Sequence, residues 1–439
     1  MLLRLLLIFQ ILYTVYQDHF NFETGIPGIN LPNALFLVSA FFVLMEREKL
    51  PSKPHARVKN ALLFFYVALV VGFIMAQVRS PHDFGVDVTY LKSAIMTPLL
   101  YLLYLHCRQD QKTTRMMVIV VMAVSAVAAV QAIRQGLDYG IGTFSETHRA
   151  SGPFGSDFHN ANRAGVYYAM FLPMFIAMAL FFRRQFMWSL AAYGGIALLS
   201  MALLVTYSRQ SYFIALFGLG VLLLRRSIVL AVVLSTVLVS LAGYLPESVT
   251  QRVEETRQHD NNAGEMQVDE STASRWEIWS GAMEMWVANP LGVGLNRFKS
   301  EIGNYSGYKN FDAHNFYVLT LAELGPLGLV ALLWLIFSLY RLSSYMRRSA
   351  PRDDAEALAL SIGFTVATLC MAVGNLYGSP FLEGPVMGSY WILAGLLERY
   401  FFLRQVQAET VPATATAVAP VDPFARFPLA RRAMPGRRQ

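Results

Sequence analysis

Five arginines and one histidine carry most of the chemistry that the sequence offers. They lie at the edges of apolar segments or in the loops between them, where an ionisable group is a candidate for function. They are Arg149, Arg163, Arg209, Arg275, Arg297 and His314. A guanidinium makes paired hydrogen bonds to phosphate oxygens, so several arginines at one membrane face predict a phosphate or pyrophosphate site. For any single arginine, anchoring at the interface is the simpler explanation.

His314 leads into an apolar segment that contains two further polar residues. Asn315 follows it directly, and Glu323 lies nine residues further along the same predicted helix. We expect Glu323 to tie neighbouring helices together through a buried hydrogen bond. A histidine on the same side as Arg163, Arg209 and Arg275 favours a functional site over isolated interface anchors.

Membrane helices are the elements that must position these residues. The chain has 439 residues, of which 55% are hydrophobic and 15% charged, against about 25% charged in an ordinary soluble protein. This composition excludes a cytosolic globular enzyme, a disordered protein and a disulfide scaffold. We predict an all-α polytopic membrane protein with about twelve transmembrane helices, each needing roughly 20 apolar residues. Their centres lie near residues 9, 39, 69, 97, 125, 173, 196, 216, 236, 327, 367 and 393.

The distribution of Lys and Arg predicts the orientation of these helices. Basic residues cluster in connections 46–59, 108–115, 183–184, 225–226 and 341–352, each two spans after the last. Because cytoplasmic loops are enriched in Lys and Arg, both termini are predicted to be cytoplasmic. The net charge of +7 is explained in this way, so nucleic acid is not expected as a partner.

The predicted organisation has four parts. Residues 1–243 form transmembrane helices 1–9, residues 244–313 form one large periplasmic loop, residues 314–403 form transmembrane helices 10–12, and residues 404–439 form a disordered, basic cytoplasmic tail. The tail is rich in Ala, Thr, Pro and Arg, a composition that does not support a packed core.

The large loop is predicted to contain an amphipathic helix. A capping-box pattern starts this helix at Ser274, and Asn289-Pro290 ends it. Three tryptophans and a methionine then share one face, which indicates either a helix in the membrane interface or one that caps the bundle. They are Trp276, Trp279, Met283 and Trp286. Arg275 would lie in the first turn, where free N–H groups favour an anion.

Four segments resemble the bacterial O-antigen ligase and polymerase superfamily. In chain order they are RASGPFGSDFHNANR (149–163), TYSRQSYFIAL (206–216), SRWEIW with NPLGVGLNRF (274–298), and HNFYVLTLAELGPLGLVALL (314–333). The resemblance covers roughly residues 140–340. It implies a glycosyltransferase of the bacterial inner membrane, with undecaprenyl-pyrophosphate-linked glycans as donors and lipid A–core as acceptor at the periplasmic face. The family needs no metal or cofactor, and no His or Cys set here has metal-ligand spacing.

The resemblance also implies roles for the residues. His314 would be the general base, because an imidazole pKa of about 6.5 suits that task, and direct attack would invert the anomeric configuration. Arg163, Arg209 and Arg275 would bind the pyrophosphate, with Arg149 and Arg297 as weaker candidates. Asn315 would orient the acceptor or His314. Gly325 and Gly328 are interpreted as small residues for close helix packing.

Three alternatives stay open at this stage. An O-antigen polymerase would join one lipid-linked repeat to another with the same residues. An oligosaccharyltransferase acting on pilins is disfavoured, since such proteins carry a further C-terminal outer region. A transporter of a lipid-linked sugar or an anion would place its charges near the bilayer midplane, whereas here they cluster at one edge.

Overall fold

The computed structural model describes most of the chain as helices. Described are residues 1–20, 30–47, 54–140, 148–155, 160–229, 232, 236, 257–259, 266–268, 270–351 and 353–410. The first eight helices are α1 (Leu2–Tyr16), α2 (Leu31–Met45), α3 (Lys59–Arg79), α4 (Phe84–Leu105), α5 (Gln111–Tyr139), α6 (Asn160–Phe181), α7 (Phe186–Val205) and α8 (Arg209–Arg226). Strands β1 (Arg257–His259) and β2 (Met266–Val268) pair antiparallel. Then follow α9 (Glu270–Ala288), α10 (Phe298–Glu301), α11 (Phe316–Ser349), α12 (Ala355–Gly374) and α13 (Gly384–Thr410).

The predicted helices agree well with the observed ones. Eleven of the twelve predicted centres fall within helices, namely α1–α8 and α11–α13. The ninth, near residue 236, lies outside the described residues apart from single positions. Within the described part of the chain, seven helices are long and apolar enough to cross a membrane: α3–α7, α11 and α12. The chain is thus a multi-pass, all-α membrane protein apart from the short ribbon. The total number of spans and their sidedness stay predictions.

Small residues bring the central helices into close contact. A Cβ on Gly363 of α12 would lie 3.0 Å from the Met174 Cα of α6, and one on Gly395 of α13 would lie 2.3 Å from the Tyr101 carbonyl of α4. Helix α6 is buried on nearly all sides. Such close backbone approach is the usual way in which membrane helices pack.

Helix α11 is broken at Gly325, which corrects the interpretation of this glycine as a helix-packing residue. Gly325 has φ 65° and ψ −165°, and Pro326 follows it. Proline has no N–H, so the carbonyl of Ala322 loses its helical donor. The N–H of Val293 donates to that carbonyl instead, at 2.9 Å, and the N–H of Gly294 donates to the Glu323 carbonyl at 2.9 Å. A stretch of the large loop therefore replaces the missing bonds of the broken helix.

The same loop stretch also contacts α3. The N–H of Leu295 donates to the Gly72 carbonyl at 3.0 Å, and a Cβ on Gly294 (φ 107°) would lie 2.6 Å from the Ala76 Cα. Irregular backbone inside a membrane protein is tolerated where it is enclosed by protein. The Gly292-Val293-Gly294 run is thus a docking segment between α3 and α11, and this close backbone approach explains its two glycines.

The last helix extends further than predicted. It runs to Thr410, so the boundary at residue 404 was placed too early. Arg404 pairs with Asp354, and the Gln405 Oε1 accepts from the Tyr345 hydroxyl at 2.5 Å. These contacts to α11 and to the start of α12 keep the additional turn helical. Residues 411–439, which hold the rest of the predicted tail, lie outside the described residues.

Candidate active site

His314 lies just before α11, in a backbone that is fixed on both sides. Its N–H donates to the Asp312 Oδ1 at 3.0 Å. The preceding carbonyl, of Ala313, accepts from the Trp279 Nε1 at 2.7 Å, and the N–H of Phe316 donates to the Asn375 carbonyl at 2.8 Å. His314 itself has φ 48°, a left-handed conformation that is uncommon for non-glycine residues and that clusters at functional sites. The backbone that carries the half-buried His314 side chain is therefore fixed on both sides.

The side chains of Asn315 and Glu323 both accept hydrogen bonds from backbone N–H groups. The Asn315 Oδ1 accepts from the N–H groups of Tyr317 and Val318, at 3.0 and 3.2 Å, so the side chain is the N-cap of α11. The Glu323 Oε1 accepts from the N–H of Phe298 at 3.0 Å. Glu323 thus ties α11 to Phe298, the first residue of the short helix α10 in the large loop.

Asp312 links the histidine to two other segments. Its Oδ1 also accepts from the Ser379 hydroxyl at 3.1 Å, and its Oδ2 lies 3.5 Å from the Lys299 Nζ. Ser379 lies in the connection between α12 and α13. Asp312 therefore holds together the connection, the large loop and the residue before α11.

Arg163 pairs with Glu383, the last residue of the connection between α12 and α13. Its Nε lies 3.0 Å from the Glu383 Oε2, with the Arg163 side chain 47% exposed. Burial raises the pKa of Glu383 to about 7, Arg163 opposes the rise, and the negative charges of Asp312 and Asp18 add to it. Burial thus favours the neutral form of Glu383, whereas the guanidinium of Arg163 favours its carboxylate form.

Arg149 and Arg209 lie at the neighbouring turn between α7 and α8. Arg149 is buried; its Nε donates to the Thr206 carbonyl at 3.0 Å and its Nη2 donates to the Asn162 Oδ1 at 2.6 Å. Arg209 is the first residue of α8 and is half-buried. Tyr207, with φ 49°, shapes the turn that leads into it.

The start of α8 lies beside both α6 and the α12–α13 connection. A Cβ on Gly165 of α6 would lie 2.1 Å from the Ser211 Oγ, and one on Gly378 would lie 3.8 Å from the Gln210 Nε2. The N–H of Phe316 also reaches the Gly378 carbonyl, at 3.1 Å. One end of the bundle thus carries four of the predicted site residues, His314, Arg149, Arg163 and Arg209.

A comparison with known families finds one match in the chain. A model of the O-antigen ligase family matches residues 194–333, about a third of the chain. This segment of the chain is similar to the O-antigen ligase family. The match runs from α7 into α11, and it includes Arg209, Arg275, Arg297 and His314. No curated protein matches the chain. The match supports an enzyme of the O-antigen ligase or polymerase type.

Arg297 forms a buried ion pair with Asp87. It is 0% exposed, and its Nη1 and Nη2 donate to the two carboxylate oxygens of Asp87 at 2.8 and 2.5 Å. Its Nε donates to the Ser80 carbonyl at 2.7 Å. Arg297 therefore fastens the large loop to the α3–α4 turn and to the first turn of α4, and these contacts occupy its guanidinium.

Arg275 lies on α9, which begins earlier than predicted. The helix starts at Glu270, so Arg275 is its sixth residue and lies beyond the free N–H groups of the first turn. Because Glu270 and Ala273 are compatible with helix, the Ser274 capping pattern does not set the start. The half-buried Arg275 therefore does not lie in the first turn of α9, where the sequence placed it beside the free N–H groups.

Helix α9 has one buried face, and part of the face predicted to carry its tryptophans is exposed. Its buried face consists of Ile278, Ala282 and Met285, which pack as expected for positions i, i+4 and i+7. Trp276 is 63% and Met283 40% exposed, so interfacial binding by this face stays a prediction. Trp279 instead anchors the loop before His314.

Sequence reasoning missed the acidic residues of the site. Asp312 and Glu383 were not selected, although Asp312 stands only two residues before His314. Glu383 could have been noticed as a carboxylate between two prolines at the start of an apolar segment. Among the described residues, no group of three His, Cys, Asp or Glu side chains could hold a metal ion.

Proposed function

We propose that the protein is an O-antigen ligase that transfers a glycan from undecaprenyl pyrophosphate to a sugar hydroxyl of lipid A–core. The reaction takes place at the periplasmic face of the bacterial inner membrane. One observation carries the proposal: His314, from the matched family segment, lies at the same end of the bundle as Arg163 and Arg209. A base and several guanidiniums are the groups that transfer from a lipid pyrophosphate requires.

The proposed reaction is a single displacement. His314 accepts the proton of the acceptor hydroxyl while the hydroxyl oxygen forms a bond to the anomeric carbon of the donor. The bond from that carbon to the phosphate oxygen breaks, and undecaprenyl pyrophosphate leaves with the electron pair. The anomeric configuration is inverted. Arginines offset the charge that develops on the leaving group, so the mechanism needs no metal or cofactor.

Arg163 and Arg209 are the proposed direct contacts to the pyrophosphate. Arg163 is about half exposed and is held by Glu383, and the donor phosphate would replace that carboxylate as its partner. Arg209 begins α8, where the free N–H groups and the helix dipole also favour an anion.

The other three arginines have less direct proposed roles. Arg149 positions Asn162 and the α7–α8 turn, since its donors are engaged there. Arg275 stays a proposed donor contact from α9. Arg297 is the weakest candidate because Asp87 and Ser80 occupy its guanidinium.

Reconstitution tests the proposed function. The purified protein in liposomes receives an undecaprenyl-pyrophosphate-linked glycan, with or without lipid A–core, in the presence of a chelator and without nucleotide. We expect glycan on lipid A–core. Longer glycans that stay on undecaprenyl pyrophosphate would indicate a polymerase, which uses the same bond chemistry with another acceptor. Movement of the lipid-linked glycan across the bilayer without any transfer would contradict the proposal and favour transport.

His314→Ala tests the proposed base. General-base catalysis contributes about 10²–10⁴-fold, so transfer should fall by at least about a hundredfold while the elution profile of the protein is unchanged. His82→Ala is the matched control, since His82 is an exposed histidine just before α4, and it should keep wild-type activity. A folded His314→Ala protein with wild-type rates would exclude His314 as the base.

A further inference from the structure

A polar cavity lies beside the proposed site, between helices α1, α2 and α4 and the start of α13. Its volume is about 190 Å³, well above the roughly 10–15 Å³ that a cavity needs to hold one water molecule, so it has room for several waters or for one pyranose ring. Amide and hydroxyl side chains form much of its wall. They are Gln10, Thr14, Gln17, Asn33, Ser93 and Thr97.

Gln10 is the residue that points to a ligand. Its side chain is only 3% exposed, and its Oε1 has no hydrogen-bond partner among the described residues. Leaving a buried polar atom unpaired costs about 1–3 kcal/mol, and such atoms are expensive inside a membrane helix. Gln10 lines the cavity, but its Oε1 has almost no accessible surface, so an entering donor group would satisfy this acceptor after a rotation of the side-chain amide.

The wall has the chemistry that recognises hydroxyl groups. Amides and hydroxyls both donate and accept, as a carbohydrate requires, and Asp18 adds one carboxylate. The rings of Tyr13 and Phe36 supply apolar surface. Lysine and arginine, which recognise phosphate, do not line this cavity among the described residues. A sugar therefore fits this wall better than a phosphate group or a lipid tail.

The cavity adjoins the arginine that is proposed to bind the pyrophosphate. Gly384 lines it, and a Cβ there would lie 2.9 Å from the Gln17 Nε2. The residue before Gly384 is Glu383, the ion-pair partner of Arg163. A molecule whose charged group contacts Arg163 could thus place an adjacent hydroxyl-rich unit in the cavity.

We propose that this cavity binds one sugar unit of a substrate glycan, which rests on the transferase function proposed above. The sugar belongs either to the lipid-linked donor or to the acceptor, because both present the same hydroxyl chemistry. The cavity sets which glycans are accepted, whereas His314 and the arginines carry out the transfer.

Binding measurements on two variants test the proposal. Gln10→Leu keeps the approximate size and removes the amide, and Thr97→Val is a milder change that removes one hydroxyl. Ser39→Ala is the matched control, because Ser39 is fully buried on α2, its Oγ has no partner among the described residues, and it does not line the cavity. All are compared with wild type for elution profile in detergent and for their affinity for three probes.

The probes are undecaprenyl-pyrophosphate-linked oligosaccharide, undecaprenyl pyrophosphate without sugar, and lipid A–core. We expect Gln10→Leu and Thr97→Val to weaken binding of one sugar-bearing probe by about two- to tenfold, the worth of a hydrogen bond. Loss confined to the oligosaccharide probe assigns the cavity to the donor, and loss confined to lipid A–core assigns it to the acceptor. The sugar-free lipid and Ser39→Ala should show wild-type affinities.

Unchanged affinity of the folded variants for both sugar-bearing probes would overturn the proposal and leave a water-filled cavity. Equal weakening of the sugar-free lipid would overturn it too, since the cavity would then recognise the lipid carrier. Failure of the transferase function is separate: a wild-type protein without transfer activity can still show sugar-dependent binding through Gln10.

Discussion

The ion pair between Arg297 and Asp87 predicts a large loss of stability when one partner is removed. Both side chains are buried, at 0% and 2% exposure. Arg297→Met removes both donors to Asp87 and the bond to the Ser80 carbonyl. Asp87 would keep only the amide groups of Gln77, at 2.6 Å, and Asn296, at 3.1 Å. A buried carboxylate would then lack its counter-charge.

The expected cost follows from that geometry. Breaking a buried pair by removing one partner costs about 3–5 kcal/mol. The two remaining amide donors of Asp87 place Arg297→Met at the lower end, at about 3 kcal/mol. The double variant Arg297→Met with Asp87→Leu should lose less than the sum of the single variants, by about 1–3 kcal/mol, because no charge is left buried.

Equilibrium unfolding in mixed micelles, followed by tryptophan fluorescence, measures these losses. Arg115→Met is the control, since Arg115 pairs with Glu356 at 2.6 Å with both side chains partly exposed, at 38% and 22%, and such pairs contribute under about 1 kcal/mol. If Arg297→Met is as stable as Arg115→Met while the KM for the donor rises, the structural role is refuted and Arg297 binds donor.

Two further predictions concern Glu383 and the docked loop. In a His314→Ala background, the affinity for the donor should increase as pH falls from about 8 to 6, because protonation of Glu383 releases Arg163. The additional substitution Glu383→Gln should remove this pH dependence. If the affinity of the Glu383→Gln variant still depends on pH in a binding titration, Glu383 is not the titrating group. Burial raises the pKa of Glu383 to about 7, so its contribution to stability is present below its ordinary pKa and is lost as pH rises through 7. Gly292→Ala should destabilise the fold by more than about 1 kcal/mol. Gly292 has φ 90°, and the Cβ of an alanine there would lie 2.3 Å from the Glu323 carbonyl oxygen. Gly220→Ala, with nothing within 4 Å, is the control, and equal unfolding midpoints for the two variants would refute this.

The helices were predictable because their signal is local. A run of about twenty apolar residues is required by the thickness of the bilayer, and it can be read without knowing what it packs against. The break in α11 was also encoded locally, since proline at position 326 removes a donor and restricts Gly325 before it. Apolar residues on both sides hid this signal within one long run.

The candidate site was predictable only in part. His314 and Arg209 belong to segments whose residue order resembles a family, so they could be selected as candidates from the sequence. Glu383 pairs with Arg163, which lies more than two hundred residues earlier, and a single sequence contains no record of such a pairing. Arg297 has the same residue type as the other arginines, and only its contact with Asp87 assigns it a structural role.

The docked loop has a consequence for the order in which the chain assembles during synthesis. Its other partners, the Gly72 carbonyl, Ser80 and Asp87, all precede it in the chain. The loop can therefore settle on α3 and α4 before α11 leaves the ribosome. When the broken helix then enters the membrane, the N–H groups of Val293 and Gly294 are already in place to receive its unpaired carbonyls, so the polar break need not face lipid alone.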